Sequence, residues 1–276
     1  MQATTKARVL FRTLTIHRSM RQAGYNIQQM KIHLVKTRLV NSYVVEYETQ
    51  LLVVDVAIRC ERYVLGYVEQ ELKRNIADIS LVTCTHDDPD HMGGVFELAQ
   101  LCNADVALPF AAGSRLHKLK NNVFGMFTRF TTGVREAFRP RAWKMYMSKE
   151  RNIEARQHAR YDGGSLVPHK PLKTLEDHRL QANDVIPLYA DWRVIHTPGH
   201  SWDSVCFYHA DSQSLLSGDT LLGSGSLGRL VTPAIYSNAS QTEQTLDTLE
   251  QLPLKVVYPG HGSIMRGAQL IEDTRA

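Results

Sequence analysis

The residues best suited to chemistry crowd one short stretch, Thr85-His86-Asp87-Asp88-Pro89-Asp90-His91-Met92-Gly93-Gly94. Two imidazoles and three carboxylates fall within six positions, 86 to 91. Acids packed this densely are costly unless a cation compensates them. Imidazole beside carboxylate suits a borderline divalent metal such as zinc, manganese or iron. The plainer alternative is a solvated acidic turn with two incidental histidines, because short motifs also occur by chance.

Three downstream segments alter that balance. They are His196-Thr197-Pro198-Gly199-His200-Ser201, Ser217-Gly218-Asp219-Thr220 and Tyr258-Pro259-Gly260-His261-Gly262. In each, a strand-like run ends in a turn that carries a metal-binding type of residue. A glycine before the key residue lets backbone approach closely, and proline stiffens two of the turns. One such turn is weak evidence. Four, in this order and separated by strand-helix units, are strong evidence.

The flanking elements explain how such turns are held. An apolar run at 79–85 reads as a buried strand into the cluster, and 95–100 reads as a helix out of it. The cluster thus lies on a strand-to-helix loop, where scaffolds often place chemistry. Residues 30–35, 41–47 and 50–55 read as strands. A helix at about 61–75 carries Val64, Leu65, Val68 and Leu72 on one stripe, and 104–108 is a further short strand. Strands are expected again at 192–196, 205–209, 214–217 and 255–258, with a helix around 241–252. Strands alternating with helices point to an α/β domain.

Residues 111–182 break the rhythm. They are basic and rich in Phe, Met, Trp and Tyr, among them Phe124, Phe127, Phe130 and Trp143. We read them as a helical insertion, a cap or lid within one domain spanning 1–276. Its apolar residues could cover a site, bury a homodimer seam or rest on an anionic membrane surface, or simply pack onto the domain.

The chain has 276 residues, enough for a single core. No apolar run reaches the ~20 residues of a membrane span. Cys60, Cys84, Cys102 and Cys206 form no C-x-x-C pair, which fits a reducing, cytoplasmic setting. Charge is segregated: 1–45 holds eight basic residues and no acid, and 111–180 holds fifteen basic and six acidic. The remainder, with the four turns, holds nine basic and twenty-two acidic. An acidic, cation-chelating core under a basic accessory layer accounts for this. No nucleic-acid motif accompanies the basic patches, so no nucleic acid is expected. The basic, acid-free residues 1–25 read as an amphipathic helix or tail, and an organellar transit peptide has the same look.

The set of turns resembles the metallo-β-lactamase-fold hydrolases, whose pattern is His-x-His-x-Asp-His, then a His, an Asp and a His. The likeness runs from about Ile32 to Met265 and leaves 111–182 unmatched. It implies a four-layer αββα sandwich, formally α+β, with a metal pair at one edge. Carried over, one metal takes His86, Asp88 and His200, the other takes Asp90, His91 and His261, and Asp219 bridges them. Asp55 becomes an anchor behind the cluster, and Arg229 resembles a Gly-Arg of thioesterase-like members. Asp88 departs from the pattern, where most members carry His. Carboxylate is a harder donor than imidazole, so the metal pair is expected to be zinc with manganese or iron open.

Two cations about 3.5–4 Å apart can share a water and lower its pKa. The expected function is therefore metal-dependent hydrolysis of an ester, lactone or thioester by a bridging hydroxide, with Asp90 or Asp219 as proton carrier. Tyr236, Tyr258 and His196 are the candidates for general acid, and His196 also suits a supporting hydrogen bond. The substrate is expected to be a small molecule, acyl-bearing or anionic. A glutathione-thioester hydrolase of this fold needs a further helical domain after the last His, and fifteen residues follow His261. The competing readings are an iron-bound oxidoreductase of the persulfide-dioxygenase kind and a weakly active regulatory or binding member.

Overall fold

The structure is a computed structural model that describes residues 30–113, 115–139 and 175–275, with backbone only for 115–122. The helix expected over 1–25 and residues 140–174 of the insertion lie outside the described residues.

Two six-stranded sheets form the body. The first is built, in spatial as in chain order, from β1 (Lys31–Lys36), β2 (Asn41–Glu46), β3 (Leu51–Val54), β4 (Ile79–Thr83), β5 (Asp105–Pro109) and β6 (His178–Leu180). The second contains β7 (Val185–Ile186), β8 (Tyr189–His196), β9 (Val205–His209), β10 (Ser214–Gly218), β13 (Val256–Pro259) and β14 (Met265–Arg266). Its spatial order is β14-β13-β10-β9-β8-β7. A small pair, β11 (Leu222–Ser224) and β12 (Arg229–Val231), lies against the turn after β13, Gly223 bridging to Gly262. Helices α1 (Glu61–Gln70) and α2 (Val95–Cys102) cover the first sheet, and α4 (Ala239–Glu250) covers the second. Between α2 and α4 in sequence lies the long helix α3 (Arg115–Ala137).

Strand alternation builds the layers. Leu51 and Val53 face α1 and α2, while Leu52 and Val54 face the other sheet. On β9, Val205 and Phe207 point between the sheets and Cys206 and Tyr208 toward α4. A strand buried on both faces must be apolar throughout, which is why β3 reads Leu-Leu-Val-Val. The helices match from their side. Val95, Leu98, Ala99 and Cys102 of α2 are buried, recurring at three- and four-residue steps. The helix ends at Asn103 in the left-handed region (φ 57°), a common way to close a last turn. Asn238 caps α4, its side chain accepting from the Gln241 amide at 3.2 Å. Leu246 and Leu249 bury the inner stripe of α4, at roughly 1.5–3 kcal/mol each.

Topology brings the loops together. β3, β4 and β5 run parallel, so Asp55 and the 84–94 loop leave the first sheet at one edge. β8 and β10 both run antiparallel to β9, and β10 runs parallel to β13. Their C-terminal turns, with His200, Asp219 and His261, therefore share one edge of the second sheet. The edges are bonded across: the Val205 amide donates to the Thr85 carbonyl at 2.9 Å and the Asn41 amide to the Gly260 carbonyl at 2.7 Å.

Two expectations need correction. The insertion does not run to 182, because 178–180 is β6, paired with β5 from Ala107↔His178 to Pro109↔Leu180. That strand has three residues and one buried side chain, too short for a periodic signal. The helix expected to 75 stops at Gln70, although Leu72 still packs on the core. No described helix is long and apolar enough to cross a membrane.

Candidate metal centre

The cleft edge gathers all seven of the sequence-derived side chains. Asp88 Oδ2 lies 3.3 Å from His86 Nε2 and 3.5 Å from His200 Nε2. Asp90 Oδ2 lies 3.3 Å from His261 Nε2 and 3.9 Å from His91 Nε2. Asp219 reaches both groups: its Oδ1 is 3.4 Å from His91 and 3.5 Å from His261, and its Oδ2 is 3.8 Å from His200. Among the described residues, donor atoms within 4.8 Å of one another define three sets. These are His86–Asp88–His200, His86–His91–Asp219 and Asp90–His91–His261.

Tight turns make this closeness feasible. A Cβ on Gly260 would stand 2.6 Å from His91 Cε1 and 2.7 Å from Asp219 Oδ1. Gly218 has φ +49°, and a Cβ there would meet Thr85 Oγ1 at 2.2 Å. Only glycine fits at either place.

His91, His200 and His86 are fixed from behind. His91 Nδ1 pairs with Asp55 Oδ2 at 2.9 Å, and His200 Nδ1 donates to the Ile235 carbonyl at 2.7 Å. His86 Nδ1 contacts Thr85 Oγ1 at 3.1 Å. Asp55 is itself held by the Thr85 amide at 2.7 Å and sits at φ 61°, a costly torsion for a residue with a Cβ and one that functional sites tend to retain. The anchor role that the resemblance assigned to Asp55 matches this geometry.

With Nδ1 committed, Nε2 of each of these rings points inward. His86 Nε2, His91 Nε2 and Asp219 Oδ1 are buried without a hydrogen bond. Native proteins rarely leave such atoms so, whereas a divalent cation satisfies imidazole nitrogen and carboxylate oxygen together. The donor set fits that group.

The electrostatics agree. Burial alone would raise Asp88, yet His86, His200 and Arg129 hold it well below the usual carboxylate range. Asp90 is lowered to about 2, because the neighbouring His261 and His91 outweigh its burial. Asp219 is likewise held well below its ordinary value by His261 and His91 against burial. His91 is raised well above the ordinary imidazole value, Asp55 and Asp219 overcoming its burial. Three ionised acids thus surround a space that attracts positive charge.

Sequence reasoning missed Arg129. It projects from α3 onto Asp88 Oδ2 and donates to His200 Nε2 at 2.8 Å. Its only sequence signal was membership of a basic segment, which reads equally as a solvated face. Arg129, Met126 and Phe130 of α3, with Trp202, Ile235 and Asp88, line a cleft of about 430 Å³.

The other candidates lie elsewhere. His196 Nε2 bonds the Trp202 carbonyl at 2.8 Å, with its ring edge-on to Phe110 at 5.0 Å, so it braces the His200 loop. Tyr258 packs edge-on against Tyr43 at 5.6 Å between the sheets, and burial raises its hydroxyl above the ordinary value. A tyrosine buried there is poorly placed to act as an acid at the cleft, which corrects that expectation. Tyr236 stays by the cleft, its backbone bonded to Thr132 of α3. Arg229 donates to the Asp273 carbonyl at 2.6 Å, tying β12 to the C-terminal helix α5 (Glu272–Arg275).

Comparison with known proteins follows the same lines. The metallo-β-lactamase family protein TTHA1429 of Thermus thermophilus aligns at a TM-score of 0.55 and 23% identity, over 88% of this chain and 77% of that one. TTHA1623, described in a di-iron-bound form, aligns at 0.50 and 21%, over 86% and 94%. At such identities the likeness shows the fold alone. Atrochrysone carboxyl ACP thioesterase of Aspergillus fumigatus is 32% identical over 77 residues, 28% of this chain and 22% of that protein. Beta-lactamase-like protein 2 homolog of Drosophila melanogaster is 30% identical over 76 residues, 28% and 23% respectively. The chain therefore matches under a quarter of the length of these relatives. A family model described as the metallo-beta-lactamase superfamily matches residues 35–261, from the first strand through the last histidine of the site, and the chain belongs to that superfamily.

Proposed function

We propose that the protein is a metal-dependent hydrolase of an ester, lactone or thioester, acting on a small molecule that bears an acyl chain or a negative charge. The observation that carries this reading is the convergence of seven imidazoles and carboxylates, with His86, His91, His200, Asp219 and His261 buried and Asp88 and Asp90 partly so. Superfamily membership and relatives named as thioesterases support hydrolysis.

His86, Asp88 and His200 would hold one divalent ion, and Asp90, His91 and His261 a second, with Asp219 in reach of both. When bound, such ions supply an acidified water and a Lewis acid for the scissile carbonyl. The chain supplies the rest. Asp55 and the Ile235 carbonyl keep His91 and His200 turned with Nε2 forward. Of the two carboxylates expected to carry a proton, Asp90 is partly exposed and Asp219 buried, so Asp90 can exchange with solvent. Met126, Phe130, Trp202 and Ile235 offer an apolar wall for an acyl group. Zinc is the first expectation; Asp88 as a harder donor keeps manganese and iron open. Exposed Phe124, Phe127 and Phe138 would be the contact points if the basic segment meets a lipid surface or a second copy.

Elemental analysis of protein purified without added metal, paired with a panel of thioesters, lactones, esters and phosphodiesters, tests the reading. Two equivalents of zinc or manganese with chelator-sensitive hydrolysis are expected. Iron with dioxygen consumption and no hydrolysis would replace the hydrolase by the oxidoreductase.

A further inference from the structure

Arg129 stands in a place the family pattern does not require. Its guanidinium meets Asp88 Oδ2 and His200 Nε2, two of the three groups proposed to hold one of the ions. His200 Nδ1 already donates to the Ile235 carbonyl at 2.7 Å, so Nε2 is the ring's acceptor. That nitrogen has one lone pair. It can receive an N–H of Arg129 or bind a metal, not both. Asp88 Oδ2 is likewise shared between the guanidinium and His86, 3.3 Å away. In the other half Asp90, His91 and His261 face one another and Asp219, whereas the Arg129 guanidinium is aimed at Asp88 and His200.

The geometry points to Arg129 as an internal competitor for the ion at His86, Asp88 and His200, so that the two halves load unequally and this half loads last. The inference rests on the two-ion reading above. Helix α3 is fastened independently of Arg129. Arg135 donates to the Ala234 carbonyl at 3.2 Å, and Thr132 is hydrogen-bonded to the backbone of Tyr236. Removing the Arg129 side chain should therefore free the ligand atoms without undocking the helix.

The test is stepwise zinc titration of the metal-free, full-length protein against a chromophoric chelator, with cobalt absorption as a second readout. Wild type is expected to bind in two steps. In Arg129→Met and Arg129→Gln the weaker step should tighten by about ten- to a hundredfold, the range of a lost charge-assisted hydrogen bond, while the tighter step stays put. Arg139→Gln removes the same charge at the end of the same helix, where Arg139 pairs with Glu136 of α3 itself, and should move neither step. Unchanged affinities in both Arg129 variants would overturn the proposal, as would an equal tightening in Arg139→Gln, which would mean diffuse charge rather than competition. If neither wild type nor the variants bind any ion, the metal reading falls and takes this inference with it.

Discussion

The two halves of the centre balance charge in different ways. Around His91 and His261 the counter-charge is internal: both side chains are 0% exposed, and Asp55 is buried behind His91. Around Asp88 and His200 it comes from outside the sandwich, from Arg129 on α3. The first half is a property of the two sheets. The second depends on a helix laid over them. On the two-ion reading, one edge of one fold would carry a fixed site and an adjustable site side by side, joined by Asp219.

Losing Asp219 should erase the distinction altogether. Asp219→Ala removes the one carboxylate among the described residues that lies within 4 Å of imidazoles in both halves. We expect both ions to be lost and hydrolysis to fall by more than about a hundredfold, since even supporting groups behind metal ligands are worth ten- to a hundredfold. Metal content and kcat/KM on a reactive aryl ester check this. A variant that keeps two ions and wild-type turnover would detach Asp219 from the site.

Asp55 sharpens the comparison, because the imidazole it pairs with directly is His91 of the inner half. Asp55→Asn should cost about 3–5 kcal/mol in metal-free protein, the scale for breaking a buried ion pair. It should also weaken the tighter zinc step by roughly ten- to a hundredfold, leaving the step at Asp88 and His200 near its original affinity. Denaturant unfolding and the two-step titration read both effects. Equal weakening of both steps would show that the halves are not separable.

What could be read in the sequence follows this division. The seven metal-binding candidates stand on four turns that announce themselves, every turn containing Gly or Pro after an apolar run. Strand alternation around Leu51–Val54 and the helical stripe of α2 made the layers visible for the same reason, since a periodic burial demand leaves a periodic sequence. Arg129 left no such mark. A single basic residue on an exposed helix looks the same whether it meets solvent or a carboxylate, and only the path of α3 decides. Tyr258 departs from expectation through register: Val257 turns toward α4 and Tyr258 between the sheets, a one-residue alternation that proximity to His261 in sequence conceals.

The smallest effect should come from a charged cluster that belongs to neither half. Asp191 on β8 accepts from the Tyr47 hydroxyl at 2.5 Å and bonds His209 Nε2 at 3.1 Å, while Trp192 Nε1 donates to the Tyr47 oxygen at 2.9 Å. Burial pushes Asp191 up, but His209 and Tyr47 outweigh it and hold the carboxyl below its ordinary value. A depressed folded pKa means that the folded state binds this proton less readily than the unfolded chain. The stabilisation is therefore complete above the unfolded value of about 3.9 and fades as the pH falls through the lower folded value. Asp191→Asn should lose about 1–3 kcal/mol near neutral pH, the cost of weakened charge-assisted hydrogen bonds. The loss should shrink below about pH 4, where the wild type forfeits the same contribution. Both zinc steps should stay at wild-type affinity, because these hydrogen bonds run among β8, β9 and Tyr47 and not to the imidazoles at the cleft edge. Urea unfolding at a series of pH values, run beside the zinc titration, separates the outcomes. A shift in either zinc step would mean that the sandwich transmits strain from β8 into the His200 turn, and that the centre is less insulated from the rest of the sandwich than its buried imidazoles imply.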